Sequence, residues 1–241
     1  MADAYALAIL AQQVLDNDWF RALTLLGTAA FALSGVVLAY AGNYTLFGAL
    51  ALASLPALGG GVIRDLVLQR QPLGIVRDPV SVLTVIGTVV LGLAFFRLMA
   101  LAGSHRFATS LKARKHLATH LIEVFDALGL AAFLVVGVVA VLDTSVQPLW
   151  LWGPISAGIT ASFGGLMRDL FRQDRETASL KGQLYPEIAV TWGLAFALFL
   201  AWETGRLQPE EIRIGVVVTI TGAFLTRMLA VVLGLKGWPY A

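Results

Sequence analysis

The segments Gly59-Gly60-Gly61-Val62-Ile63-Arg64-Asp65 and Phe163-Gly164-Gly165-Leu166-Met167-Arg168-Asp169 carry one signature, glycines followed by Arg-Asp, in two otherwise apolar stretches. Glycine weakens a helix and uncovers its backbone. An Arg-Asp pair within a bilayer is costly unless protein or water surrounds it. A weakened helix with the same charged pair at matching places in two halves points to a duplicated membrane protein with a path through it.

Composition agrees. Of 241 residues, 58% are hydrophobic and only 13% charged, and the mean hydropathy is +0.80. A soluble domain carries about 25% charged residues, and a larger core would not remove its need for a polar surface. The formal charge of +2 gives no argument for a nucleic-acid partner. The chain has no cysteine, which excludes thiol catalysis, disulfides and cysteine metal sites. His105, His116 and His120 fall in one loop and the start of the next span, which suits a solvated linker better than a metal site. With no histidine inside a span and no activated serine arrangement, the chain reads as neither an enzyme nor a cofactor carrier.

Apolar windows predict an all-α integral membrane protein with seven spans: Phe20–Ala41, Thr45–Val67, Pro79–Leu101, Leu117–Leu142, Leu149–Phe171, Tyr185–Trp202 and Ile212–Leu235. Trp19, Tyr40, Tyr44, Trp150, Trp202 and Trp238 sit at span ends, as interfacial aromatics do. Residues 1–19 form an extramembrane segment without a basic signal-peptide start, in which Ala4–Leu15 reads as a short interfacial helix. The loops after spans one, three and five are richer in Lys and Arg, and the loop holding Arg97, Arg106, Lys112, Arg114 and Lys115 is the densest. The positive-inside rule then sets the N-terminus outside and the C-terminus in the cytoplasm.

The halves match beyond the glycine motif. Gly27, Phe31 and Gly35 in span one correspond to Gly129, Phe133 and Gly137 in span four. Each unit therefore has three spans, and an odd number inserts the second unit upside down. The predicted organisation is a first repeat at 20–101, a basic cytoplasmic loop at 102–116, an inverted repeat at 117–203, and a seventh helix with the C-terminus at 204–241. The small faces of spans one and four suit close packing. Kinks are expected near Gly59–Gly61, where Pro56 precedes the glycines, and near Gly164–Gly165. Those glycines also suit a close crossing of spans two and five. Inversion sets Arg64-Asp65 and Arg168-Asp169 toward opposite membrane faces, as two vestibules around a constriction require. Ser34, Asp126 and Ser162 are further candidates to line the path.

The doubled motif, as GGGVIRDL in span two and FGGLMRDL in span five, and the segment GTAAFALSG in span one resemble the prokaryotic trimeric intracellular cation (TRIC) channel family, from about Arg21 to Leu235. The resemblance implies a homotrimer in the lipid of a prokaryotic plasma (inner) membrane, with one hourglass pore per protomer framed by spans two and five. It implies conduction of potassium and other monovalent cations, gated near Gly59, Gly60, Gly61, Gly164 and Gly165, with Arg64, Asp65, Arg168 and Asp169 as pore or gating residues. Animal members carry a Lys-Glu-Val motif that binds an inositol phospholipid. Ile122-Glu123-Val124 here lacks the lysine, and inositol-lipid regulation is not expected. The alternative reading is a secondary transporter of a small solute such as an amino acid, since broken helices in inverted repeats serve transporters equally well.

Overall fold

The computed structural model describes residues 17–101, 115–144, 146–171, 184–202 and 208–237. The expected Ala4–Leu15 helix, the loop with His105, Arg106, Lys112 and Arg114, and the residues Arg172, Arg175, Lys181, Arg206 and Trp238 lie outside them. The described elements are all helical, and the seven spans run Asp18–Ala41, Leu46–Val67, Pro79–Leu101, Lys115–Leu142, Leu149–Phe171, Pro186–Trp202 and Pro209–Val232. Five of them, the first four and the seventh, are long and apolar enough to cross a membrane by those criteria alone. The fifth, at 23 residues, reaches about 35 Å at 1.5 Å per residue, against a hydrocarbon core of about 30 Å. The sixth is a shorter apolar helix of 17 residues.

Polar side chains satisfy the backbone donors where helices start. Asn17 accepts from the Trp19 N–H, and Thr45 Oγ1 accepts from the Gly48 N–H at 3.1 Å. Gln208 and Glu211 form a reciprocal capping box, with Pro209 as first helical residue. The seventh span thus begins one turn earlier than hydropathy suggests, because a cap and not an apolar residue fixes its start.

Spans one and four form the centre, with Phe31, Val36, Leu130, Leu134 and Val135 buried. Spans three and seven lie outside and present Leu91, Leu98, Val217, Leu229 and Val232 outward. Such a surface needs lipid rather than water. The inverted repeat is visible as reciprocal packing. Gly27 faces the Phe133 ring and Gly129 faces the Phe31 ring, and these two rings meet edge to face at 5.2 Å. Gly35 packs on the backbone of Leu52 and Ala53, and Gly137 packs on the equivalent Ser156 and Ala157. A methyl group on Gly129 would lie 2.5 Å from the Phe31 ring, so glycine there is a requirement of close approach.

Spans two and five cross in the same reciprocal way. A Cβ on Gly60 would overlap the Thr160 carbonyl oxygen, and one on Gly164 would come within 2.5 Å of the Leu55 carbonyl oxygen and 2.7 Å of that of Pro56. Two expectations change here. The irregularity in span two is a π-helical turn at Leu55–Gly59, upstream of the expected Gly59–Gly61 kink. Pro56 has no N–H to offer the preceding turn, and a wider turn absorbs the defect. Gly59 and Gly60 keep ordinary right-handed helical angles, φ −61° at both. In span five the helix runs unbroken from Leu149 to Phe171 through Gly164 and Gly165. With no proline beside them, these glycines need only lack a side chain.

Candidate functional site

Two buried charge clusters lie at different depths. In the first, Arg64 donates from Nε (3.0 Å) and Nη2 (2.8 Å) to Asp65 Oδ1. Behind span two the chain turns back, with Gln69 at a φ of 54° and the Arg70 N–H on the Asp65 carbonyl. That return brings Arg70 Nη1 to the same carboxylate oxygen at 3.0 Å and the Gly74 N–H to Oδ2 at 2.7 Å. Arg70 Nη2 reaches Asp143 Oδ2 at 2.6 Å, and Arg77 lies 3.9 Å from that oxygen. Asp65 is 1% exposed. A carboxylate so deep persists because four donor contacts replace its water.

The second cluster is tighter. Arg168 grips Asp126 with two parallel bonds, Nη1 to Oδ1 at 3.0 Å and Nη2 to Oδ2 at 2.8 Å. Its Nη1 also donates to Ser34 Oγ at 2.8 Å and its Nε to Asp169 Oδ1 at 3.1 Å. Ser34 passes its own hydrogen to the Phe31 carbonyl at 2.8 Å. Spans one, four and five are thereby tied at one point. Asp126 and Asp143 are about 25 Å apart along the helix direction of span four at 1.5 Å per residue, so the clusters sit toward opposite ends of the molecule.

Between spans one, two, four and five lies a cavity of about 590 Å³. Thr24, Thr28, Gly61, Arg64, Asp65, Phe133, Val136 and Thr160 line it, with Arg21, Arg70, Arg77, Asp78 and Asp143 toward its charged side. The first cluster therefore faces open volume, whereas Arg168, Asp126 and Ser34 are not among the residues lining this cavity. The repeat's register explains the difference. The offset that carries Gly27 onto Gly129 carries Thr24 onto Asp126 and Ser34 onto Val136. Arg64 shares the cavity with a threonine and a valine at those positions, where its counterpart Arg168 binds a carboxylate and a hydroxyl.

Of the residues singled out in the sequence, Gly61, Arg64 and Asp65 border the cavity. Gly60 and Gly164 make the crossing, with Gly59 at its flank, where a Cβ would lie 3.6 Å from the Gly164 Cα. Gly165 faces the Tyr185 hydroxyl, 3.4 Å from a Cβ placed there. Arg168, Asp169, Ser34 and Asp126 form the second cluster. Ser162 is buried, with its hydroxyl on the Gly158 carbonyl, and Thr160 supplies the cavity wall instead. Arg70, Asp143 and Thr24 escaped sequence reasoning. Arg70 and Asp143 stand at span ends, where charges are ordinary, but Thr24 was legible as the residue in register with Asp126. In span seven, Arg227 lies over the Tyr185 ring at 5.0 Å and donates to the Leu184 carbonyl at 3.3 Å. Among the described residues no group of acids and histidines is set to hold a metal ion.

The model of a family described as glycine transporter matches residues 21–97 and 123–201, one stretch in each half. The UPF0126 inner membrane protein YadS of Escherichia coli K12 is 30% identical over 200 residues, covering 82% of this chain and 86% of its own. A UPF0126 membrane protein of Deinococcus radiodurans is 32% identical over 194 residues, covering 77% and 81%. Among solved structures, the TRIC trimeric intracellular cation channel orthologue from Rhodobacter sphaeroides superposes with a TM-score of 0.71 at 26% identity, covering 91% of this chain and all of that one. A prokaryotic TRIC channel crystallised in 0.5 M KCl gives 0.70 at 20% identity over 89% of this chain and 96% of its own, a likeness of fold. These solved neighbours are channels rather than enzymes. The chain is an integral membrane protein that belongs to the glycine transporter family of UPF0126 membrane proteins, the prokaryotic relatives of the TRIC channels.

Proposed function

We propose that this protein is a passive channel for monovalent cations, potassium among them, with one path inside each protomer of a homotrimer in a prokaryotic inner membrane. The observation that carries the reading is the inequality of the two charge clusters. One borders a 590 Å³ cavity, and the other is closed by Arg168 on Asp126 and Ser34. A cation entering the cavity meets Thr24, Thr28 and the carboxylates of Asp65 and Asp143, while Asp65 offsets the charge of Arg64. The crossing of Gly60 and Gly164 narrows the way onward. The Arg168 cluster then acts as the closed gate, because an ion passing it must loosen three spans at once. Names of relatives support the class: the solved neighbours with this fold are cation channels.

The test is recording from purified protein in planar bilayers under a potassium gradient. Discrete openings that reverse near the potassium equilibrium potential support the proposal; sustained silence across voltage rejects it.

A second reading rests on the family's description as glycine transporter and on a cavity bordered by one charge cluster only. In it the same two halves alternate access for a small amino acid. Saturable glycine uptake into proteoliposomes, without unitary currents, would establish it in place of the channel.

A further inference from the structure

The two halves differ in what stands over the glycine one turn before the motif arginine. The offset that carries Arg64 onto Arg168 carries Gly61 onto Gly165. Gly61 lines the cavity, and a Cβ placed there would meet, among the described residues and apart from its own helix backbone, Arg64 Nη2 alone, at 3.8 Å. Gly165 is buried. A Cβ placed there would lie 3.4 Å from the Tyr185 hydroxyl, and 3.8 Å and 3.9 Å from Cε1 and Cζ of that ring. Gly165, Arg168 and Asp169 share one face of span five, at i, i+3 and i+4. The tip of Tyr185 therefore covers, in the second half, the helix face that the first half leaves to its cavity.

Tyr185 is buried, and its side chain is held through the ring face and not through the hydroxyl. The Arg227 guanidinium of span seven lies over the ring at 5.0 Å. Arg227 Nη1 donates to the Leu184 carbonyl at 3.3 Å, and the Tyr185 N–H donates to Glu187 Oε2 at 3.1 Å, which fixes the backbone on both sides of the ring. The hydroxyl has no hydrogen-bond partner among the described residues, so no bond on the Gly165 face keeps the ring there. Span seven lies outside the repeat, and the arginine that backs the ring belongs to the second half alone.

We infer that Tyr185 is the plug of the second half: its ring stands over Gly165 where the first half keeps open cavity, and the way to Arg168 opens when that side chain swings off the glycine. With the backbone at Tyr185 held, the motion is a rotamer change of one ring. Arg227 sets its resting position, which gives the seventh span a part in the path that the repeat does not contain. Tyr185 is a positioning residue here, and the inference rests on the channel reading only for the identity of the solute.

The chain has no cysteine, so a single introduced thiol reports its own surroundings. The experiment measures how fast aminoethyl methanethiosulfonate, a small cation, modifies Gly61→Cys and Gly165→Cys in the purified full-length protein in detergent. With the swung-out state held to at most about 10% of molecules, Gly165→Cys should react at least about tenfold more slowly than Gly61→Cys. Adding Tyr185→Ala should bring the two rates together, whereas Tyr185→Phe, which keeps the ring, should leave Gly165→Cys slow. A ring that served packing alone would give a lower melting temperature in Tyr185→Ala with no gain in rate, and that result overturns the inference. So does a Gly165→Cys thiol as reactive as that of Gly61→Cys with Tyr185 in place. Should Gly165→Cys fail to fold, Tyr185→Ala by itself is recorded in planar bilayers under a potassium gradient. Its open probability should rise by at least about tenfold, and wild-type gating in a folded protein overturns the inference. A thiol freed by Tyr185→Ala in a protein without currents would uphold the plug and reject the channel. Currents with a thiol that Tyr185→Ala does not free would do the reverse.

Discussion

Arg168 in span five donates to the hydroxyl of Ser34 in span one, 134 residues earlier, at 2.8 Å. The same guanidinium binds Asp126 of span four on both oxygens. Removing one partner from such a buried pair leaves a charge uncompensated, at a cost of about 3–5 kcal/mol in typical cases.

The first prediction concerns this tie. Asp126→Asn keeps the shape and removes the charge, and should raise open probability by at least about tenfold while lowering thermal stability. Ser34→Ala should act in the same direction and more weakly. Single-channel recording checks both; unchanged gating in both variants would remove the cluster from the gate.

Arg64 and Arg168 should behave differently from each other. Arg64→Ala acts on a residue facing open volume, and should change conductance or ion preference with little change in gating. Arg168→Ala should change gating first. If both variants conducted and gated as wild type, neither arginine would belong to the path.

Glycine substitutions separate close packing from flexibility. Gly60→Ala and Gly164→Ala each drive a methyl group into a carbonyl of the crossing helix and should cost about 1–3 kcal/mol as overpacking. Gly87→Ala meets nothing within 4 Å, and should stabilise its helix by up to about 1 kcal/mol. Melting followed by size-exclusion fluorescence in detergent would show whether the first two fall and the third does not.

Topology is open to a direct assay. A cytoplasm-only reporter fused after Ala241 should be active, and one fused at the N-terminus silent. The opposite pattern would invert the membrane orientation and exchange the sides of the cavity and the tie.

Much of this was legible in the chain. Spans follow from hydropathy because lipid leaves helices few alternatives, and Gly27/Phe31/Gly35 with Gly129/Phe133/Gly137 disclosed the duplication. What was not legible is long-range. Nothing near Arg168 in sequence announces Ser34 or Asp126, since side-chain pairing across spans depends on helix rotation, which hydropathy does not set. The glycines invited a reading as breaks, yet at Gly164 the helix is continuous and the missing side chain makes room for Leu55 and Pro56. Thr24 was overlooked because a threonine attracts notice only once its counterpart is known to be a carboxylate.

The π turn at Leu55–Gly59 has no counterpart in span five. The repeat supplied two like rods, and only span two carries a wide turn, at Pro56. A wide turn can tighten or pass its extra residue along the helix while keeping most of its hydrogen bonds, which a regular helix cannot do. Span five keeps its own proline, Pro154, inside an unbroken helix, so a proline alone does not make a joint, and the two copies of one repeat differ in regularity rather than in length.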